Sequence, residues 1–199
     1  YLQGILHFHN RDIKDAVSAF DLAQNDEDRY PMSLFYLATA HNLEGNYALA
    51  EDFAYRFLAL VPSSVAGRKL LATMKLRSED AAEAEELIRP VVDENGEDVN
   101  ALNLLSSALL KQNKVEEGLE LLKKAAELQP DSPEARVRLG AGLMASGEVS
   151  GGMEHIEEAL KLNPQFQQAD ALLVAAFLRK KDFAGALNAV DEFERKNPD

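Results

Sequence analysis

The stretch PEARVRLGAGLMASGEVSGGMEHIEEALKLNPQF, Pro133–Phe166, reads as two helices joined by a turn. Ser132 and Pro133 supply an N-cap and a first-turn proline, and apolar or small residues then recur at helical spacing through Val137, Leu139, Gly140, Leu143 and Met144. Ser146-Gly147 interrupts the pattern. Val149, Gly152, Met153, Ile156, Ala159 and Leu160 form the stripe of a second helix, which Asn163-Pro164 closes. No segment of the chain keeps a period of two with β-branched residues, so the reading is all-α.

The same 34-residue unit extends in both directions. Ala16, Ala50, Ala84, Gly118, Gly152 and Ala186 form an unbroken column of small residues at that step. Leu37, Leu71, Leu105, Leu139 and Leu173 form another, and Gly4, Ala38, Ala72, Ser106 and Gly140 a second small one, ending at Val174. Pro62, Pro130, Pro164 and Pro198 mark the unit ends, with Gly96 in the gap and Asp28 at the head. A fixed period of this length belongs to stacked helical repeats, whose core is a ribbon between neighbours. Small side chains on both helices imply that the paired axes cross closely. Gly118 and Gly152 each cost their helix about 1 kcal/mol relative to Ala, which close contact would justify.

These columns resemble the tetratricopeptide repeat family, most fully in Pro31–Ser64, where Leu37, Ala38, Ala40, Gly45, Tyr47, Ala50, Phe57 and Pro62 fall at the motif positions. The resemblance implies a right-handed superhelical solenoid of six helix-turn-helix repeats in one array over 1–199, with units near 1–30, 31–64, 65–98, 99–132, 133–166 and 167–199. The first unit lacks the start of its leading helix. Leu34, Arg68, Leu102, Arg136 and Asp170 depart from the family by replacing the aromatic near the start of the first helix. The chain opens on Tyr1 in mid-pattern, which suggests a piece of a longer protein.

A narrower resemblance rests on LLATMKLRSED (70–80), LIRPVVDENGED (87–98), LQPDSPEARVRLG (128–140) and ADALLVAAFLRKKDFAGAL (169–187). These are similar to multi-repeat lipoproteins of the PEP-CTERM and exosortase protein-sorting systems of exopolysaccharide-producing bacteria. That family implies a long array in the bacterial envelope, with a lipid anchor outside this chain.

In the tetratricopeptide family the first helix of each unit lines the concave face and binds protein or peptide ligands. The resemblance then places Tyr1, Ile5, Phe8, His9, Met32, Phe35, Tyr36, Thr39 and Asn42 inward, followed by Lys69, Thr73 and Arg77, then Asn103, Ser107 and Lys111. Glu134, Arg138 and Ala141 come next, and Gln168, Ala171, Ala175 and Arg179 last. Among these, Lys69, Arg77, Lys111, Arg138 and Arg179 stand against Glu134, five basic to one acidic on a chain of net charge −13. Such a groove suits an acidic segment or a free carboxylate. Arg77, Lys111 and Arg179 read equally as caps on the last turns of helices.

Ten of the fourteen Phe and Tyr lie within residues 1–57, which concentrates them at one end. Phe20, Tyr47 and Phe57 sit on core columns. Tyr1, Phe8, Phe35 and Tyr36 map inward, as packing or as exposed anchors for a peptide or a polysaccharide.

The remaining features bound the function. The negative charge argues against nucleic acid or an anionic membrane surface. Without cysteine there is neither disulfide nor thiolate metal site. The three-unit carboxylate clamp of chaperone-binding family members is not reproduced, because Lys69 and Thr73 are followed by Leu104, and Asn103 and Ser107 by Arg138 beside Glu134. His7 and His41 share a column that faces packing, which favours hydrogen-bonded histidines over a metal pair. Gly140 and Gly142 lie inside a helix and form no dinucleotide loop. Asp26-Glu27-Asp28, Asp93-Glu94 and Glu97-Asp98 read as solvated turns rather than calcium sites. No hydrolase signature and no cofactor motif is present, so the expectation is a non-enzymatic interaction scaffold without cofactor or metal. The alternatives are a direct polysaccharide-binding module or the interaction domain of an enzyme or regulator whose active domain lies outside this chain. The stripes at Leu2 and Leu6 and at Phe183, Leu187, Val190 and Phe193 lack covering partners in the sequence, which suggests self-association through the solenoid ends.

Overall fold

The computed structural model describes residues 1–23, 26 and 28–197; Glu27 of the first acidic turn, and Pro198 at the foot of the proline column, lie outside them. Among the described residues there are twelve α-helices and no strand. They are α1 (Leu2–His9), α2 (Ile13–Ala23), α3 (Pro31–Leu43), α4 (Tyr47–Leu60), α5 (Val65–Arg77) and α6 (Ala81–Glu94). After these come α7 (Val99–Lys111), α8 (Val115–Leu128), α9 (Pro133–Ser146), α10 (Val149–Leu162), α11 (Gln167–Arg179) and α12 (Phe183–Lys196). From α3 onward, each odd helix opens 34 residues after the last. The chain divides into two compact units, Tyr1–Val91 and Val92–Asp199.

Local chemistry starts the helices. Ser64, Asp98, Ser132 and Asp182 accept the amide of the residue three positions on, at 3.2, 3.1, 3.2 and 2.9 Å, each satisfying one orphan donor of a first turn. Pro31 and Pro133 occupy first-turn positions where no amide is missed.

The turn inside each hairpin carries a regularity that residue type does not betray. Arg11, Gly45, Glu79, Asn113, Gly147 and Lys181 all have positive φ, from 60° to 100°, and they fall 34 residues apart. The amide after each donates to the carbonyl five residues back, as in Asn46 to His41 and Glu148 to Leu143, both at 2.9 Å. This is the Schellman closure of a helix end, and only two of its six left-handed positions are glycine.

The small columns mark the helix crossings as expected. Ala16, Ala50 and Ala84 are fully buried, and Gly118, Gly152 and Ala186 are buried with them. A Cβ on Gly140 would lie 2.7 Å from the Gly152 carbonyl oxygen, and one on Gly152 only 2.5 Å from that of Gly140. In the preceding hairpin Ser106 stands where Gly140 does, and its Oγ donates to the Gly118 carbonyl at 2.8 Å. The core of the first unit gathers Phe20, Leu34, Leu37, Phe53, Phe57 and Leu71. In the second unit, Leu119, Leu122, Leu139 and Leu143 form one cluster and Val137, Met144, Met153 and Ile156 another.

Tyr47 departs from the core column to which the sequence assigns it. It is 49% exposed. Leu2 and Leu6 on α1 and Phe183 and Leu187 on α12 are also exposed, each by 60% or more, whereas Val190 and Phe193 are half-buried. Among the described residues no helix is long and apolar enough to cross a membrane.

Candidate ligand groove

The odd helices differ from the even ones in charge. The six odd helices together carry eight Lys and Arg against two Asp and Glu, whereas the six even helices carry eight against nineteen. Every even helix is net acidic, and no odd helix is.

In the first unit, α1, α3 and α5 bring the predicted inward residues together unevenly. Phe8, Phe35 and Tyr36 do not stand open as anchors. They are half-buried, with Phe8 5.2 Å from Tyr36, Tyr36 stacked on Phe20 at 4.9 Å and Phe35 5.5 Å from Phe57. Tyr1 stacks on Tyr30 at 5.3 Å, and with Ile5 packs against the same core. Ring–ring packing thus takes up much of the apolar area that a ligand would need. His9 is exposed and Met32 36% exposed.

Thr39 and Thr73 turn their hydroxyls onto the carbonyls of Phe35 and Lys69, each at 2.8 Å. Lys69 is half-buried. Arg77 donates to Asn42 Oδ1 at 2.5 Å, and its guanidinium lies 4.3 Å from the Tyr47 ring centroid. Tyr47 is therefore a platform for a cation rather than a core residue.

In the second unit α7, α9 and α11 carry the rest. Asn103 is half-buried, and its Oδ1 is buried without a hydrogen-bond partner. Ser107 donates to the Asn103 carbonyl at 2.8 Å. Lys111 and Arg138 are exposed, as are Glu134, Gln168, Ala171 and Ala175, whereas Ala141 is half-buried. Glu134 accepts from the Ser132 hydroxyl at 3.1 Å. Arg179 donates to the Met144 carbonyl in the last turn of α9, so the helix-capping reading describes it.

One feature went unseen in the sequence, and a second, visible there only as a departure from the family, gains its physical account. Lys75 is buried, with its Nζ 2.9 Å from Glu51, 3.3 Å from Glu83 and 4.9 Å from the Tyr55 ring centroid, while the Tyr55 hydroxyl donates to Glu83. Burial disfavours the ammonium, but hydrogen bonds with Tyr55, Glu51 and Glu83 outweigh that and raise its pKa. Burial first, and then the bond to Glu83, also raises the Tyr55 pKa. The second feature is the first-turn position where the family carries an aromatic. Leu34 and Leu102 fill it as core residues, whereas Arg68 and Arg136 donate to the carbonyls of Pro62 and Pro130, and Asp170 is buried against Lys196 at 2.7 Å.

The histidines are separately engaged. His41 is buried and stacks on Phe53 at 5.6 Å, and its Nδ1, 3.5 Å from Glu44, makes no hydrogen bond, contrary to the expectation of a hydrogen-bonded ring; His7 Nδ1 lies 3.9 Å from Asp12. Of the acidic residues read as turns, Asp93 and Glu94 instead end α6, and Asp98 is used as a helix cap. Among the described residues no three His, Asp or Glu side chains converge as metal ligands.

Comparison with known proteins places the architecture. No curated protein matches the chain. Among solved structures, a MamA fragment from Desulfovibrio magneticus RS-1 superposes with a TM-score of 0.74 at 20% identity, covering 82% of this chain and 92% of that one. YrrB, a tetratricopeptide protein described as having an unusual peptide-binding site, gives 0.67 at 20% identity over 92% and 95%. A thermophilic tetratricopeptide protein from Thermus thermophilus gives 0.69 at 19% identity over 86% and 92%. At these identities the likeness is one of fold. The tetratricopeptide repeat family model matches residues 1–65, 70–133 and 137–199, and the chain belongs to that family.

Proposed function

We propose that the chain is a non-enzymatic scaffold whose first-helix faces bind an acidic peptide or a free carboxylate. The sorting of charge carries this reading, because first helices that hold an excess of cations on a strongly acidic chain are where an anionic segment is least repelled and can be attracted. Lys111 and Arg138 are exposed cations on first helices of the second unit. The peptide-binding site named for YrrB gives the reading a precedent within the fold. Similarity of the 70–199 stretch to exosortase-associated lipoproteins supports a setting in bacterial envelope protein sorting or exopolysaccharide assembly. Direct polysaccharide binding is the weaker reading, since the aromatic rings it needs are packed on one another.

The test is a pair of acidic peptides that differ only in a free or an amidated C-terminus. The free acid is expected to bind at least about tenfold more tightly, with affinity falling as salt rises. Lys111→Glu combined with Arg138→Glu is expected to remove that advantage. Equal binding of the two peptides, or a double variant indistinguishable from the parent, overturns the reading.

A further inference from the structure

Packed among α10, α11 and α12 lies a crevice of about 290 Å³, away from the residues assigned to the groove. Leu173, Phe177 and Ala189 give it an apolar wall, and Asp170, Glu192 and Lys196 supply its charge. Asp170 is 3% exposed. Its Oδ1 takes Lys196, while its Oδ2 is buried with no hydrogen-bond partner. A buried carboxylate oxygen left unpaired is costly, so a donor belongs there.

The neighbouring hairpins indicate which donor. One repeat earlier Asp170 is replaced by Arg136, whose Nη1 lies 2.7 Å from Glu158, the counterpart of Glu192. Three repeats earlier, the same register is a crevice of about 340 Å³ lined by Leu58, Leu87 and Arg68, whose Nε donates to the Pro62 carbonyl at 3.0 Å. Where two other hairpins use an arginine of their own, the last has an aspartate. The exchange leaves two carboxylates and one ammonium on the lining. Glu192 also accepts from Arg195 at 2.6 Å, an exposed pair that a second guanidinium would share or displace, so the unpaired Asp170 Oδ2 is the group that calls for a donor.

We propose that this crevice takes an arginine side chain from a partner protein. The guanidinium bridges Asp170 Oδ2 and Glu192, restoring the kind of pair that Arg136 makes with Glu158, and the methylene stem lies along Leu173, Phe177 and Ala189. The volume sits at the small end of ligand pockets and suits one side chain. A planar fork that donates to two carboxylates is the property of arginine rather than lysine.

The experiment is an NMR titration of the isotope-labelled protein with acetyl-Ala-Arg-Ala-amide, alongside the same peptide carrying citrulline, which keeps the shape and loses the charge. The arginine peptide is expected to shift the amides of Asp170, Phe177 and Ala189 and to bind at least about tenfold more tightly than the citrulline one. Asp170→Asn is expected to cost a similar factor. Because that change also strips Lys196 of its partner, Ala189→Leu serves as the second variant; it adds side-chain bulk to the apolar wall along which the stem would lie. Equal affinity for the two peptides, shifts confined to groove residues such as Lys111 and Arg138, no shift at about 10 mM peptide, or unchanged binding by both variants each overturns the proposal.

Discussion

Lys75 shows at the scale of one residue how a cation on a first helix can be used up by the fold. Its ammonium is hydrogen-bonded to carboxylates from α4 and α6, so removing it strands Glu51 and Glu83 side by side. Lys75→Ala is expected to cost about 2–4 kcal/mol in chemical denaturation, since breaking a buried pair exceeds the worth of a surface one. The sign of the pH dependence follows from the raised pKa. The contribution is complete below the ordinary lysine value of about 10.4 and fades only as pH climbs through the higher folded-state value. Wild type and variant should therefore differ by a constant amount from neutral pH to about pH 10. A gap that closes within that range contradicts the assignment. None of this is legible in the sequence, because Glu51, Lys75 and Glu83 lie on three helices and share no column. Arg77 is ambiguous for the same reason. Only the folded chain puts Asn42 and Tyr47 around it.

At the scale of the element, what is legible depends on whether geometry restricts residue type. A helix crossing restricts it severely, so the small columns stand out in the sequence and mark the crossings found in the structure. Gly152→Leu is expected to be harsher than Gly118→Leu, since a side chain at 152 meets the Gly140 carbonyl whereas one at 118 meets the movable Leu110 side chain. Overpacking of this kind costs about 1–3 kcal/mol, and thermal melts of the two variants would rank them. The left-handed turn restricts residue type less, because its closing hydrogen bonds hold even Arg11, Glu79 and Lys181 in place. That column is accordingly invisible in the sequence. Its residual strain is testable, for Glu79→Gly and Lys181→Gly are each expected to gain about 0.5–1 kcal/mol and Gly147→Ala to lose about 1. Loss of stability in either glycine variant contradicts a left-handed native conformation.

For the whole molecule, the period determines the fold class and the charge balance points to a class of ligand, but neither decides which aromatics stay free. Phe8, Phe35 and Tyr36 are read from the sequence as inward and yet pack on one another, an outcome set by ring-to-ring distances that no column records. Leu2 and Leu6 on α1, and Phe183 and Leu187 on α12, leave exposed apolar surface on each unit. Such patches tend to find partners. Light scattering over a wide concentration range is expected to show reversible self-association, weakened by Leu6→Glu or Leu187→Glu. A particle mass that stays at one chain throughout sinks this expectation.

The left-handed turn residue always precedes the small crossing residue by five positions, from Arg11 and Ala16 through to Lys181 and Ala186. An inserted or deleted residue between them would rotate the second helix by about 100° and deliver the wrong side chain to the crossing. The gene is therefore constrained like a text with a fixed line length. Losing a single codon inside a hairpin scrambles everything beside it, whereas excising a full 34-codon line leaves the next one aligned, so family members would drift in hairpin number far more readily than in hairpin length.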